Sequence, residues 1–190
     1  EENLWRFLSA SLPAGCSHLC FAEADGAWPV NSYSKVTPRN LRKPDEAADV
    51  LFICHPELIE GIEPLVRWRQ QEGWKVSVVS SHDIYDQFSF GYMKPEAIRD
   101  FLIATQNNWP PPVPQYVVLA GDSSFDPDRN MKNSMRAYLP YANYDSRNPI
   151  GNPADEWFVR LHAEDALSDL IIGRMGVSSA TEARAVSEKI

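Results

Sequence analysis

Hydrophobic and polar positions change rhythm near residue 48. Val50 to Cys54 reads Val-Leu-Phe-Ile-Cys, a continuous apolar run of strand length, as expected where helices cover both faces of a parallel strand. Residues 57–72 place Leu58, Ile59, Ile62, Leu65 and Val66 on one helical face, and Gly73 stands where a left-handed C-cap is needed. Lys75 to Ser80 predicts a second strand. Pro95 suits the first turn of a helix over Glu96 to Asn107 with Ile98, Phe101 and Leu102 inward, and Pro110 to Pro112 forbid its continuation. Tyr116 to Ala120 predicts a third strand leading to Gly121-Asp122, and Leu170-Ile171-Ile172 a fourth leading to Gly173-Arg174. Ser179 and Glu182 have capping-box spacing, which predicts a last helix with Ala183, Val186 and Ile190 along one face.

Strands alternating with helical stretches predict an α/β fold: a parallel sheet of about four strands with helices on both faces, wound in a flavodoxin-like or caspase-like way. This subdomain is expected over residues 48–190. Residues 1–47 differ, because Pro13, Gly15, Gly26, Pro29, Pro38 and Pro44 interrupt any period. They are expected to form an irregular or β-rich N-terminal segment. The connection from residue 121 to 168 is long and polar, and loops of that length in a compact domain are usually functional or ligand-bound.

Composition narrows the partners. With 44% hydrophobic and 23% charged residues the chain is globular, and its longest apolar runs are about five residues where a membrane helix needs roughly 20. A formal charge of -8 argues against a nucleic-acid partner, whose backbone demands a basic face. Three cysteines are too few for a disulfide scaffold. Any export signal is expected upstream of Glu1, since no basic-then-apolar segment begins the chain.

In parallel sheets the functional edge lies beyond the carboxyl ends of the strands, which here carry Cys54-His55, Ser81-His82-Asp83, Gly121-Asp122 and Arg174. From Asp122 to Asp169 there are nine acids against five bases, and like charges held together by a fold are commonly relieved by a hard cation such as calcium. Asp126, Asp128 and Asn130 open like an EF-hand loop. However, Met131 stands where Gly is needed and Ala137 where the bidentate Glu is needed, which excludes that motif. Asp122, Asp165 and Asp169 are the stronger set, to be brought together by adjacent parallel strands, and the alternative is that they are solvated turn acids. Cys54-His55 is not expected to be a catalytic dyad, because successive strand side chains face opposite ways. Cys16, His18 and Cys20 would bind zinc only with ligands from elsewhere; Cys16 and Cys20 are otherwise a disulfide or unconnected. His82 and Asp83 are expected to cap a turn. No P-loop, dinucleotide fingerprint, nucleophile elbow or zinc-peptidase motif occurs.

Several runs, taken in order, resemble a known family. Leu51-Phe52-Ile53-Cys54-His55-Pro56, Trp68-Arg69-Gln70-Gln71-Glu72-Gly73, Val76-Ser77-Val78-Val79, Asp83 to Ser89 and Glu96 to Leu102 are similar to segments of the gingipain-type cysteine peptidases. Tyr116 to Asp122, Asp155-Glu156-Trp157-Phe158 and Asp169 to Arg174 continue in the same order. The resemblance implies a caspase-like fold of two α/β subdomains in a secreted or cell-surface bacterial hydrolase that performs proteolysis, and this chain resembles the first subdomain. The family's catalytic His, in a Gly-His-Gly setting, and its nucleophilic Cys lie in the second subdomain. No catalytic residue is therefore carried over, and the chain alone is expected to be inactive.

The resemblance also implies a structural calcium, with Asp165 and Asp169 as carboxylate ligands, His162 and Leu167 as backbone-carbonyl positions, and Asp122 as the strand-end aspartate. Expected partners are the second peptidase subdomain of the same parent and a protein or peptide substrate. Residues 1–47 would be the tail of a preceding β domain. Two rivals remain: a non-catalytic scaffold or interaction domain of the same fold, and a small-molecule or phosphate-binding flavodoxin-like protein.

Overall fold

Each apolar run of strand length becomes a strand. In a computed structural model describing residues 39–127, 129–144, 152–162 and 167–190, β1 spans Val50–Cys54, β2 Val76–Ser80, β3 Tyr116–Ala120 and β6 Ile171–Met175. They form one sheet in the order β2-β1-β3-β6, parallel throughout. All five β1 residues are buried, as a strand between two others with both faces covered requires. A second, two-stranded sheet pairs β4 (Asn143–Tyr144) antiparallel with β5 (Asn152–Pro153) inside the long polar connection.

Two apolar layers sandwich the sheet. On one face Val50, Phe52 and Cys54 pack against Ile62, Leu65 and Val66 of α1 (Ile59–Gln71) and Ala183 of α4 (Ala180–Ser187). On the other, Leu51, Ile53, Val117 and Leu119 meet Ile84 of α2 (Ser81–Phe88), Ile98, Phe101 and Leu102 of α3 (Pro95–Asn108), and Phe158. Helices on both faces follow from the alternation of side chains along each strand.

The predicted stops and starts have visible causes. Gly73 has φ +95°, its N–H donates to Gln70 O at 3.0 Å, and the Trp74 N–H donates to Arg69 O at 3.1 Å, which together close α1 as a Schellman motif. Ser179 Oγ accepts from Glu182 N at 3.1 Å, while the Glu182 carboxylate reaches Ser178 N at 2.8 Å, one residue before the cap. Gly61 is where α1 and α4 meet closely: a Cβ there would stand 2.4 Å from Ala180 O and 2.6 Å from Ala183 Cβ.

Three expectations need correction. His82 and Asp83 do not sit in a turn; they open α2, whose N-cap Ser80 accepts from His82 N at 3.2 Å. Gly173 and Arg174 do not follow the fourth strand but belong to it, because β6 runs on to Met175. The domain also begins before residue 48. Its compact unit runs Pro38–Ile190, with Leu41 fully buried and its carbonyl accepting from Trp109 Nε1 at 2.9 Å, while Arg39 donates to Val78 O at 3.0 Å. Of the expected irregular or β-rich segment 1–47, residues 1–38, including Cys16, His18 and Cys20, lie outside the described residues.

Candidate functional site

The strand order reverses direction between β1 and β3, and open α/β sheets bind ligands in the crevice at the carboxyl side of such a point. His55 stands there, immediately after β1 and 6% exposed. Its Nδ1 accepts from Glu57 N at 3.3 Å and so caps the 3-10 turn Pro56–Leu58. Edge-on ring contacts flank it, with centroids 5.0 Å away for His82 of α2 and 5.1 Å for Tyr138. Burial, seconded by His82, holds the His55 pKa below the ordinary imidazole value, so the ring is neutral at pH 7. Above it Glu57 accepts a bidentate pair of hydrogen bonds from Arg136 at 2.8 and 2.9 Å, which lowers the carboxyl pKa.

Cys54 is adjacent in sequence but turned away into the core. It is fully buried, its Sγ donates only to the His55 carbonyl at 3.4 Å, and burial pushes the thiol up to about 12. A nucleophilic cysteine needs a lowered pKa and a base within hydrogen-bond reach. Cys54 has neither.

A second construction at this edge centres on Arg174. From β6 its guanidinium grips Asp155 bidentately at 2.8 and 2.7 Å and donates to Gly121 O and Pro140 O, each at 3.0 Å. Four segments distant in sequence are thereby tied together: β6, the turn after β3, the chain near Pro140, and the 3-10 segment Asp155–Val159. Both residues were visible in the sequence, as a strand-end arginine and as part of Asp155-Glu156-Trp157-Phe158. Their pairing was not, since nothing local joins positions 19 apart.

The acidic set expected from the sequence divides. Asp122 follows β3 at the carboxyl edge, where its backbone meets Val177, Tyr138 and Leu139 and its Oδ1 accepts from Ser123 N at 2.8 Å. Asp169 precedes β6. Because Ile171 pairs with Tyr116 in a parallel register, Asp169 lies at the opposite edge, roughly 25 Å away at about 3.3 Å per residue. Asp122 and Asp169 therefore do not share an ion. Asp169 and His162 do come together: Asp169 Oδ1 meets His162 Nδ1 at 2.8 Å, and Oδ2 accepts from Leu161 N at 2.7 Å and His162 N at 3.3 Å. These contacts, led by the His162 side chain, hold the Asp169 carboxyl below its ordinary pKa. Leu167 is 74% exposed nearby in sequence, and Asp165 lies outside the described residues. Among the described residues no three His, Cys, Asp or Glu side chains converge as a metal cluster.

Residues 43–190 match the family described as peptidase family C25. The chain belongs to peptidase family C25. Among curated proteins a search finds no match. Solved structures share the fold: dimeric latent PorU from Porphyromonas gingivalis is 21% identical with TM-score 0.63, over 76% of this chain and 15% of that one. The complex of RgpB pro- and mature domains from the same organism is 20% identical with TM-score 0.55, over 74% and 27%. The Arg-specific cysteine proteinase gingipain R is 19% identical with TM-score 0.55, over 81% and 29%. This C25 chain thus spans less than a third of the solved chains it matches. Its four-stranded parallel sheet between helices is the gingipain-like peptidase fold expected from the sequence, and no described helix is long and apolar enough to cross a membrane.

Proposed function

We propose that this chain is the N-terminal, non-dyad subdomain of a secreted gingipain-like cysteine endopeptidase, whose catalytic His and Cys are carried by a second subdomain of the same parent. The observation that carries this reading is Cys54, the one described cysteine, which is sealed in the core with its thiol held in the protonated form. Family membership supplies the reaction class, peptide-bond hydrolysis through a thiolate and an acyl-enzyme. The chain's own part is to form one wall of the site, its carboxyl edge held in shape by the Arg174-Asp155 and Arg136-Glu57 pairs. The fold relatives come from Porphyromonas gingivalis, in keeping with a bacterial parent, and export is part of the proposal. If so, the 190-residue chain alone hydrolyses no peptide substrate, and the whole parent carrying Cys54→Ala keeps its proteolytic rate. Hydrolysis by the chain alone that Cys54→Ala abolishes would overturn the reading, and a parent without proteolytic activity would favour a scaffold domain.

We further propose a structural calcium ion, held by the carboxylates of Asp165 and Asp169 with the carbonyls of His162 and Leu167. The donors are hard oxygens, as calcium prefers, and Asp169 is ionised at neutral pH, so the chemistry of the set fits. Asp122, at the other edge, is not one of them. The ion would supply cross-linking of the segment before β6 and no step of hydrolysis. Calcium is expected to raise the melting temperature, and the double variant Asp165→Ala with Asp169→Ala to abolish the rise; an unchanged melting temperature in the parent would remove the ion from the account.

A further inference from the structure

Beside the crevice lies a cavity of about 330 Å³ lined by His55, His82, Tyr85, Asp86, Met93 and Tyr138. Two of these side chains are more than nine-tenths buried and leave polar capacity unused. His55 Nδ1 accepts from the Glu57 amide, so the proton of the neutral ring is on Nε2, the ring atom left to donate into the cavity. The Tyr85 hydroxyl, with the residue 4% exposed, has no partner beyond the Ser81 side chain one turn earlier in α2. Unpaired buried donors are costly in a finished core and useful in a site awaiting a ligand.

The chemistry of the lining selects the ligand. A metal ion at His55 would need a bare Nε2 with the proton on Nδ1, where the Glu57 N–H already points, so a cation is disfavoured. A carboxylate would meet Asp86, whose Oδ1 lies 3.5 Å from where a Cβ on Gly91 would stand, at the same cavity wall. A group with an acceptor on one side and a donor on the other suits both. We propose that this cavity is a subsite for an asparagine or glutamine side chain of a bound polypeptide, its carboxamide oxygen accepting from His55 and its amide donating to Asp86. The methylene stem would rest on Met93, Ala137 and the Tyr138 ring, and the volume accommodates a side chain of that size. This rests on the peptidase reading for its polypeptide ligand. Binding is measured without turnover, so failure of the subsite and failure of that reading register separately.

The test titrates the 190-residue chain with N-acetylglutamine methylamide, following the side-chain nitrogen resonances of His55 and His82 by NMR, with the glutamate and methionine analogues as comparisons. The glutamine analogue should produce a saturable His55 shift, and the other two should bind about fivefold to tenfold more weakly, the worth of one hydrogen bond. Asp86→Ala, at an exposed position, should weaken glutamine binding similarly without lowering the melting temperature. Methionine binding as well as glutamine, glutamate binding better, or no saturable shift with any of the three would each overturn the proposal.

Discussion

Replacing Arg174 by methionine keeps the aliphatic stem and removes four hydrogen bonds at once, two to Asp155 and one each to Gly121 O and Pro140 O. The guanidinium side chain is 12% exposed and the Asp155 side chain 30%. Breaking a buried pair by removing one partner costs about 3–5 kcal/mol, because the other charge is stranded. Here Asp155 recovers some hydration, which brings the expected loss to about 2–3 kcal/mol. At about 2–4 °C per kcal/mol for a chain of this size, the melting temperature should fall by about 4–12 °C at neutral pH. Asp155→Asn alone should cost less, since the amide oxygen still accepts. The double variant should lose clearly less than the sum of the singles, with a coupling of about 1 kcal/mol or more. Thermal denaturation of the four proteins by circular dichroism decides it. A fall of less than about 2 °C for Arg174→Met, or strict additivity in the double variant, would refute the view of this pair as the clamp of the carboxyl edge.

Gly61→Ala should destabilise by about 1–3 kcal/mol, because the new methyl meets the backbone of α4 at Ala180 rather than a movable side-chain tip; a lowered urea midpoint checks it, and an unchanged one would mean that the helices part easily. Asp126 is buried, and its carboxylate accepts from Met131 N at 2.8 Å and Asn130 N at 2.9 Å. These bonds, Met131 first, depress its folded pKa below the ordinary 3.8. Its contribution is then fully present above that value and lost as pH falls through the lower folded one. Asp126→Asn should accordingly melt below the parent at pH 7 by a gap that closes under strong acid, and a gap unchanged at pH 2 would contradict this.

What could be read from the chain and what could not have physical reasons. The strands were legible because burial on both faces leaves a signal within five consecutive residues, as in Val50–Cys54. α2 was not, because Ser80 serves at once as the last residue of an alternating strand and as the cap of a helix only eight residues long. Grouping Asp122 with Asp165 and Asp169 assumes that neighbouring strands bring these ends together. In a parallel sheet a residue after one strand and a residue before the next lie at opposite edges, so the grouping failed on topology, not on chemistry. The His55-His82 contact and the Arg174-Asp155 pair depend on packing and register across the sheet, and no local spacing encodes either.

The proposal that catalysis resides in a second subdomain requires that Cys54 be core and not nucleophile. The most direct measurement is the alkylation rate of Cys54 by iodoacetamide at pH 7.5 in the native chain, with the modified peptide quantified by mass spectrometry so that Cys16 and Cys20 do not contribute. With the thiol pushed up to about 12, the thiolate is on the order of one part in 10⁴ to 10⁵, against several per cent for an unperturbed cysteine. Labelling should be slower than that of an unfolded chain by at least about a thousandfold, limited by opening of the domain. Labelling as fast as a free thiol, or faster, would contradict it.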